Sequence, residues 1–401
     1  MALQQLLKER IVLMDGAMGT MIQKNKLSEE DFHYNIVSDT TAYLKGNNDL
    51  LNISRPDIIE GIHYRYLEAG AQILKTNTFN SNSISQSDYG TAALVEELNI
   101  AGAAVARRAI QRFSLTHPDR ELFIAGAIGP TSKTASLSPS VDDPSRRAVT
   151  FDELVICFKQ QVNGLIKGGV DLLLLETNID TLNVKAALYA IMEIFEEKQM
   201  ELPVMVSATI TDASGRILSG QTIEAFLISV AHAPITSIGL NCALGAEDLR
   251  PYIEILSKEA PFYVSIHPNA GLPNEFGEYD QTPEEMSSIM KDFAERGWLN
   301  IAGGCCGTTP EHISALREKL DHVTPRKNPV EELFDAATVS ATSLQYSDNF
   351  NALIKTIESI NNKEEYHRFS TYFRSVESKL NKEQAQLLNA HLFGKMKTIF
   401  G

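Results

Sequence analysis

The stretch 170–178, Val-Asp-Leu-Leu-Leu-Leu-Glu-Thr-Asn, decides the fold. Its apolar residues are consecutive rather than alternating, which is the pattern of a strand buried on both faces. A helical pattern at 150–167 precedes it and closes on Gly168-Gly169, a pair suited to a helix C-terminus. A second helical pattern, 181–197, follows. The same unit recurs in both directions along the chain. Further apolar runs occupy 11–14, 72–76, 123–128, 203–208, 237–240, 262–266 and 300–302. Helical patterns occupy 57–69, 92–113, 222–232, 246–258, 282–296 and 310–319. Eight strands, each followed by a helix, predict an α/β chain folded as a (β/α)8 TIM barrel. A doubly wound open sheet would predict Gly-x-Gly-x-x-Gly after an early strand. The turn Asp15-Gly16-Ala17-Met18-Gly19 has the wrong glycine spacing for it.

Composition narrows the class of function. Of 401 residues, 43% are hydrophobic and 22% charged, which excludes wholesale disorder and a fibrous chain. The net charge of −15 opposes phosphate backbones, so nucleic acid is not an expected partner. No apolar run approaches the ~18 residues of a membrane span, and the N-terminus carries no leader pattern. Four cysteines are too few for a disulfide scaffold, which points to a reducing, cytoplasmic location. Two segments depart from the regular pattern. The stretch 20–55 is long for a strand-to-helix connection and is expected to cover the barrel mouth. Residues 1–325 read as the barrel, and 326–401 as a linker with a small helical C-terminal extension, helices being expected at 350–360 and 382–400.

Function in such a barrel gathers where strands end. Asp15-Gly16-Ala17-Met18-Gly19 follows the first run, Glu176 the fourth, Asn241-Cys242 the sixth and Gly303-Gly304-Cys305-Cys306-Gly307 the eighth. The sixth and eighth strands both border the seventh, so Cys242, Cys305 and Cys306 are placed to converge. Three thiolates suit Zn2+, and three protein ligands leave a position open, as in catalytic sites. With −3 from the thiolates against +2, the ion is electron-rich. That suits holding a substrate thiol as a nucleophilic thiolate rather than activating water. Asp15 and Glu176 are expected to pair with the ammonium of an amino-acid substrate. Its carboxylate is expected on backbone N–H groups of Gly16, Ala17, Met18 and Gly19, or on those of 304–308, and Asn241 suits either group. A carboxylate ending a run of four leucines needs a charged partner. His267 precedes proline and reads as a turn former, and Cys157 as a core residue.

These residues resemble the signature of the homocysteine S-methyltransferases: Asp15–Thr20, Glu176-Thr177, Gly239-Leu240-Asn241-Cys242 and Gly303–Gly307. Asn47-Asn48-Asp49-Leu50-Leu51, Lys75–Asn80 and His267–Pro273 narrow the likeness to the homocysteine-binding module of the cobalamin-dependent methionine synthases. The likeness covers about residues 5–325. It implies zinc on Cys242, Cys305 and Cys306, homocysteine as thiolate ligand, and methylcobalamin as methyl donor, giving methionine. No Asp-x-His-x-x-Gly, the corrinoid-ligating motif, occurs in the chain. The donor is therefore expected on a separate corrinoid- or folate-binding subunit. The alternatives are a small donor, S-methylmethionine or betaine, and a zinc- and thiol-binding module without turnover.

Overall fold

The structure, a computed structural model, describes residues 2–33, 43–212 and 214–327, with isolated positions between 354 and 395. Eight parallel strands form one sheet: β1 (Val12–Leu13), β2 (Ile73–Lys75), β3 (Phe123–Ile128), β4 (Leu172–Asn178), β5 (Val204–Ala208), β6 (Ser237–Gly245), β7 (Tyr263–Asn269) and β8 (Ile301–Ala302). The order β1-β8-β7-β6-β5-β4-β3-β2 returns on itself through a parallel bridge between Met14 and Ile73, so the sheet closes as a (β/α)8 barrel. All eight expected strands are present. Two run longer than their apolar cores suggest. β4 continues through Glu176 to Asn178 and β6 through Cys242 to Gly245, each with a break in register.

Consecutive apolar residues are explained by two separate cores. One face of each strand meets the surrounding helices: Leu173, Leu175, Val204, Val206, Ile238, Leu240, Val264 and Ile266 belong to this outer core. The alternate residues point inward. Val12, Met14, Ile73, Ala125, Leu172, Leu174, Met205, Tyr263 and Ile301 fill the barrel. The helices form where their patterns predict. Phe151–Gly168 starts on a Thr150/Glu153 capping box and ends on left-handed Gly169. Pro283–Glu295 and Pro310–Leu320 begin with a threonine cap position and proline in the first turn. The expected helix 92–113 divides into a 3-10 turn, Ala92–Leu94, and the helix Val95–Ser114.

Two helices lie outside the sequence-based expectation, Ser83–Ser87 after β2 and Ala2–Glu9 at the start of the chain. Helix Ala2–Glu9 packs Leu3, Leu6 and Leu7 onto the inner core and closes the N-terminal end of the barrel. The long first connection carries small elements, as its length suggested: Met18–Gln23, Glu29–Phe32, Asn48–Leu50 and Leu51–Ser54. At the far end Arg326 belongs to the barrel rather than to a linker. Its buried guanidinium donates to the carbonyls of Ser257, Ala260 and Phe262, and its own carbonyl accepts from Asn300. The expected helical extension, 330–401, lies outside the described residues except at isolated positions. Among the described residues no helix is long and apolar enough to cross a membrane.

Leu7 is fully buried against the strands. Leu7→Ala is expected to cost about 2–5 kcal/mol. The check is a lower urea midpoint with an unchanged slope; an unmoved midpoint would show that the plug carries no stability.

Candidate active site

The three cysteines of the rim meet. Cys242 Sγ lies 3.8 Å from Cys306 Sγ. All three sulfurs of Cys242, Cys305 and Cys306 fall within 4.8 Å of one another, and all three side chains are half-buried. A disulfide would need about 2.05 Å between sulfurs. A tetrahedral ion with Zn–S bonds of about 2.3 Å has sulfur–sulfur edges of about 3.8 Å. The trio therefore has the spacing of a thiolate metal site and could hold a metal. Hydrogen bonds from Cys242 and Cys305 lower the pKa of Cys306, while bonding to Cys305 and Cys306 raises that of Cys242.

Backbone geometry aims these sulfurs. Pleat alternation would send Cys242 outward to the helix layer, since Gly239 and Asn241 face inward. The bulge in β6 redirects it. Cys242 (φ 60°) and Ala243 (φ 57°) both take left-handed backbone, as does Thr177 (φ 60°) beside them in β4. Only five non-glycine residues do so among the described residues, and three are here. Asn241 locks the two bulges together. Its Oδ1 accepts from the Thr177 N–H at 2.8 Å and from Ser207 Oγ at 2.5 Å, and its Nδ2 donates to Thr177 Oγ1 at 2.9 Å. The same amide lies 3.9 Å from Cys305 Sγ. The Cys305-Cys306 turn is fixed separately. The Cys305 N–H donates to Pro268 O at 2.7 Å, and Cys306 O accepts from the Ala270 N–H at 2.9 Å. Gly307 has φ 79°, and a Cβ there would lie 2.3 Å from Tyr279 Cβ. That close approach packs Tyr279 against the turn that carries Cys306.

Asp15 and Glu176 also converge, but on a third residue. Lys75, at the end of β2, is 8% exposed. Its Nζ lies 3.8 Å from Asp15 Oδ1 and 3.9 Å from Glu176 Oε2, and donates to Gly304 O at 3.1 Å. Its backbone N–H donates to Asp15 Oδ2 at 3.0 Å. Burial raises the pKa of both carboxyls to about 7 against the pull of Lys75. Burial also lowers that of Lys75, but the opposed attraction of Glu176 and Asp15 prevails and the net shift is upward. His267 is fully buried beside them, its Nδ1 4.0 Å from Glu176 Oε2, and burial pushes its pKa down to about 3. Neither of its ring nitrogens, nor Asp15 Oδ1, has a hydrogen-bond partner within the described chain.

The remaining expected contacts divide. Among the N–H groups of 304–308, Gly304 donates to Asp15 O, Gly307 to Thr20 Oγ1 and Thr308 to Cys305 O. With Cys305 also engaged, that alternative for a substrate carboxylate is largely used by the fold. Ala17 donates to Thr308, while Met18 and Gly19 open the helix Met18–Gln23. Gly16 packs where a Cβ would lie 2.7 Å from Thr308 Oγ1 and 2.9 Å from Tyr66. The motif at 47–51 is architectural. Asp49 accepts from Ser81 Oγ and the Asn80 N–H, and Asn47 pairs with Gln86, so the first connection is tied to the second. Cys157 is buried in its helix. Lys75 and Tyr279 were missed as site residues. Strand parity signals the lysine, since it shares the inward face with Ile73.

The raised carboxyls set a pH dependence. Between about pH 4 and 7 the folded chain binds more protons at Asp15 and Glu176 than the unfolded chain does. Their contribution to stability is therefore complete at low pH and is lost as pH rises through about 7. Glu176→Gln in metal-free protein is expected to flatten this slope, gaining on the wild type by on the order of 2 kcal/mol from pH 5 to 8. Urea midpoints across that range read it out, and parallel curves for the two proteins would refute the assignment.

Comparison with known proteins agrees with this geometry. The model of the family described as homocysteine S-methyltransferase matches residues 12–320. The metallated form of the homocysteine methyltransferase MmuM from Escherichia coli is similar with a TM-score of 0.61 at 20% identity, over 79% of this chain and 98% of that one. Its oxidized form gives a TM-score of 0.60 at 20% identity, over 77% and 96%. At that identity the likeness shows a common barrel. The family match spans most of the chain and takes in every residue of the thiol cluster, so this chain belongs to the homocysteine S-methyltransferase family.

Proposed function

We propose that the chain transfers a methyl group to the sulfur of homocysteine, giving methionine, with Zn2+ on Cys242, Cys305 and Cys306. The observation that supports it most directly is the 3.8 Å sulfur–sulfur spacing between β6 and the β8 turn. When bound, the zinc ion supplies the stabilisation that lets a thiol sit as thiolate at neutral pH. The chain's own residues do the rest. Three thiolates keep that ion electron-rich, so the acceptor sulfur stays nucleophilic. The Asn241 lock and the Pro268 and Ala270 backbone bonds hold the sulfurs in place before substrate arrives. Asp15 and Glu176 face the other end of the acceptor, with Lys75 between them. The first turn at Gly16, Ala17, Met18 and Gly19 would take the acceptor's carboxylate on N–H groups other than that of Ala17, which already donates to Thr308. In the reaction the acceptor sulfur forms a bond to the methyl carbon as the donor–methyl bond breaks. The donor keeps that electron pair, and the thiol proton has already left on binding.

We assign the donor as methylcobalamin carried on a separate protein, on the likeness of 47–51, 75–80 and 267–273 to the cobalamin-dependent module. Metal analysis is expected to give one zinc per chain, lost in Cys305→Ser. Homocysteine binding is expected to release about one proton near pH 7, seen by calorimetry in buffers of different ionisation enthalpy. Methylcobalamin, methyltetrahydrofolate, S-methylmethionine and betaine offered in parallel identify the donor. Methionine from S-methylmethionine or betaine alone would replace the donor assignment. Zinc and thiol binding with no methionine from any of the four would make the chain a binding module.

A further inference from the structure

The cysteine turn and the loop after β7 are joined by a closed circuit of hydrogen bonds. The Ala270 N–H donates to Cys306 O at 2.9 Å, and Ala270 O accepts from the Gln281 N–H at 3.2 Å. Gln281 O lies 3.0 Å from His312 Nε2. His312 Nδ1 lies 3.2 Å from the backbone nitrogen of Thr309 and 3.1 Å from Thr309 Oγ1. The path leaves the turn at Cys306 and returns to it at Thr309, where the helix Pro310–Leu320 begins.

The partners fix the state of the ring. A backbone N–H only donates, so Nδ1 is the acceptor; a carbonyl only accepts, so Nε2 carries the hydrogen. Only the neutral ring in that one tautomer makes both bonds at once. His312 is buried, and burial lowers its pKa, which favours this form. A helix cap alone does not call for it. The third position of a capping box is ordinarily Glu or Gln, and two other boxes in this chain, Thr150/Glu153 and Thr282/Glu285, use glutamate. Glutamate at 312 would accept from Thr309 but could not donate to Gln281 O.

We infer that His312 is a positioning residue for the metal site: by donating to Gln281 O while accepting from Thr309, it fixes the loop after β7 against the Cys305-Cys306 turn and so holds Cys306 in place for the ion. This inference rests on the proposed zinc site and adds to it a residue that acts through the backbone of Cys306.

The test is the zinc affinity of the full chain, measured by competition with a chromophoric chelator, a readout independent of turnover. His312→Glu keeps the helix cap and removes the donor. His312→Gln keeps both an acceptor and a donor. His312→Glu is expected to lose about tenfold or more in affinity, the scale for a lost outer partner of a metal ligand, and His312→Gln to regain most of that loss. A role in capping alone predicts wild-type affinity in His312→Glu, and that result would overturn the inference. Equal losses in the two variants would overturn it as well. Nitrogen-15 NMR of the wild-type imidazole reads the tautomer with no variant needed. The hydrogen is expected on Nε2 near neutral pH, and a hydrogen on Nδ1 would break the circuit and the inference together. Wild-type protein that binds no zinc at all would remove the metal reading itself, and the inference with it.

Discussion

The side chain of Asn241 carries the constraint on which the site depends. A regular β6 would show Gly239 and Asn241 to the barrel interior and Leu240 and Cys242 to the helices. Turning one cysteine from the outer face to the mouth requires the strand to break its alternation. Left-handed backbone at Cys242 and Ala243 does this, at about 1–2 kcal/mol for each L-residue. The same holds for Thr177 in the neighbouring bulge. Asn241 binds both the backbone and the side chain of Thr177, and its own carbonyl accepts from Thr209 Oγ1. Asn178 closes the other bulge by donating to the carbonyls of Leu175 and Ser207. The strained residues are thus cross-linked by buried amides whose bonds would otherwise be unsatisfied, which is how such strain persists in a folded chain. Asn241 was expected to contact substrate, and here its hydrogen bonds serve the scaffold that presents Cys242.

The barrel was legible because its physics is local and repeated. Runs such as Leu172–Leu175 are apolar on both faces because one face meets helices and the other fills the interior. Convergence of the cysteines followed from strand order alone, since β6 and β8 flank β7. The charge argument at Glu176 was also sound: a carboxylate ending four leucines needs a cation, and Lys75 is that cation. What stayed hidden is instructive. Threonine, cysteine and alanine carry no sequence mark of left-handed backbone, as glycine or asparagine would, so the bulges could not be foreseen. Lys75 reads from sequence as the polar end of a short strand. Only the pairing of β2 with β3 and the closure onto β1 put its side chain between carboxylates from two other strand ends. The helix Ala2–Glu9 does carry a mark in the sequence, since Leu3, Leu6 and Leu7 have helical spacing.

The mouth joins two charge systems that would each be costly alone. Three cysteine sulfurs gathered at one point favour a divalent ion, and two buried carboxylates favour a cation of their own. Lys75 is set where it acts on both. Its ammonium is drawn upward in pKa by Glu176 and Asp15 and, more weakly, by Cys305 and Cys306. Its bond to Gly304 O ties it mechanically to the turn that bears those sulfurs. A rigid cation at this junction screens the carboxylates from the thiolates, whose negative charges would otherwise repel across the mouth.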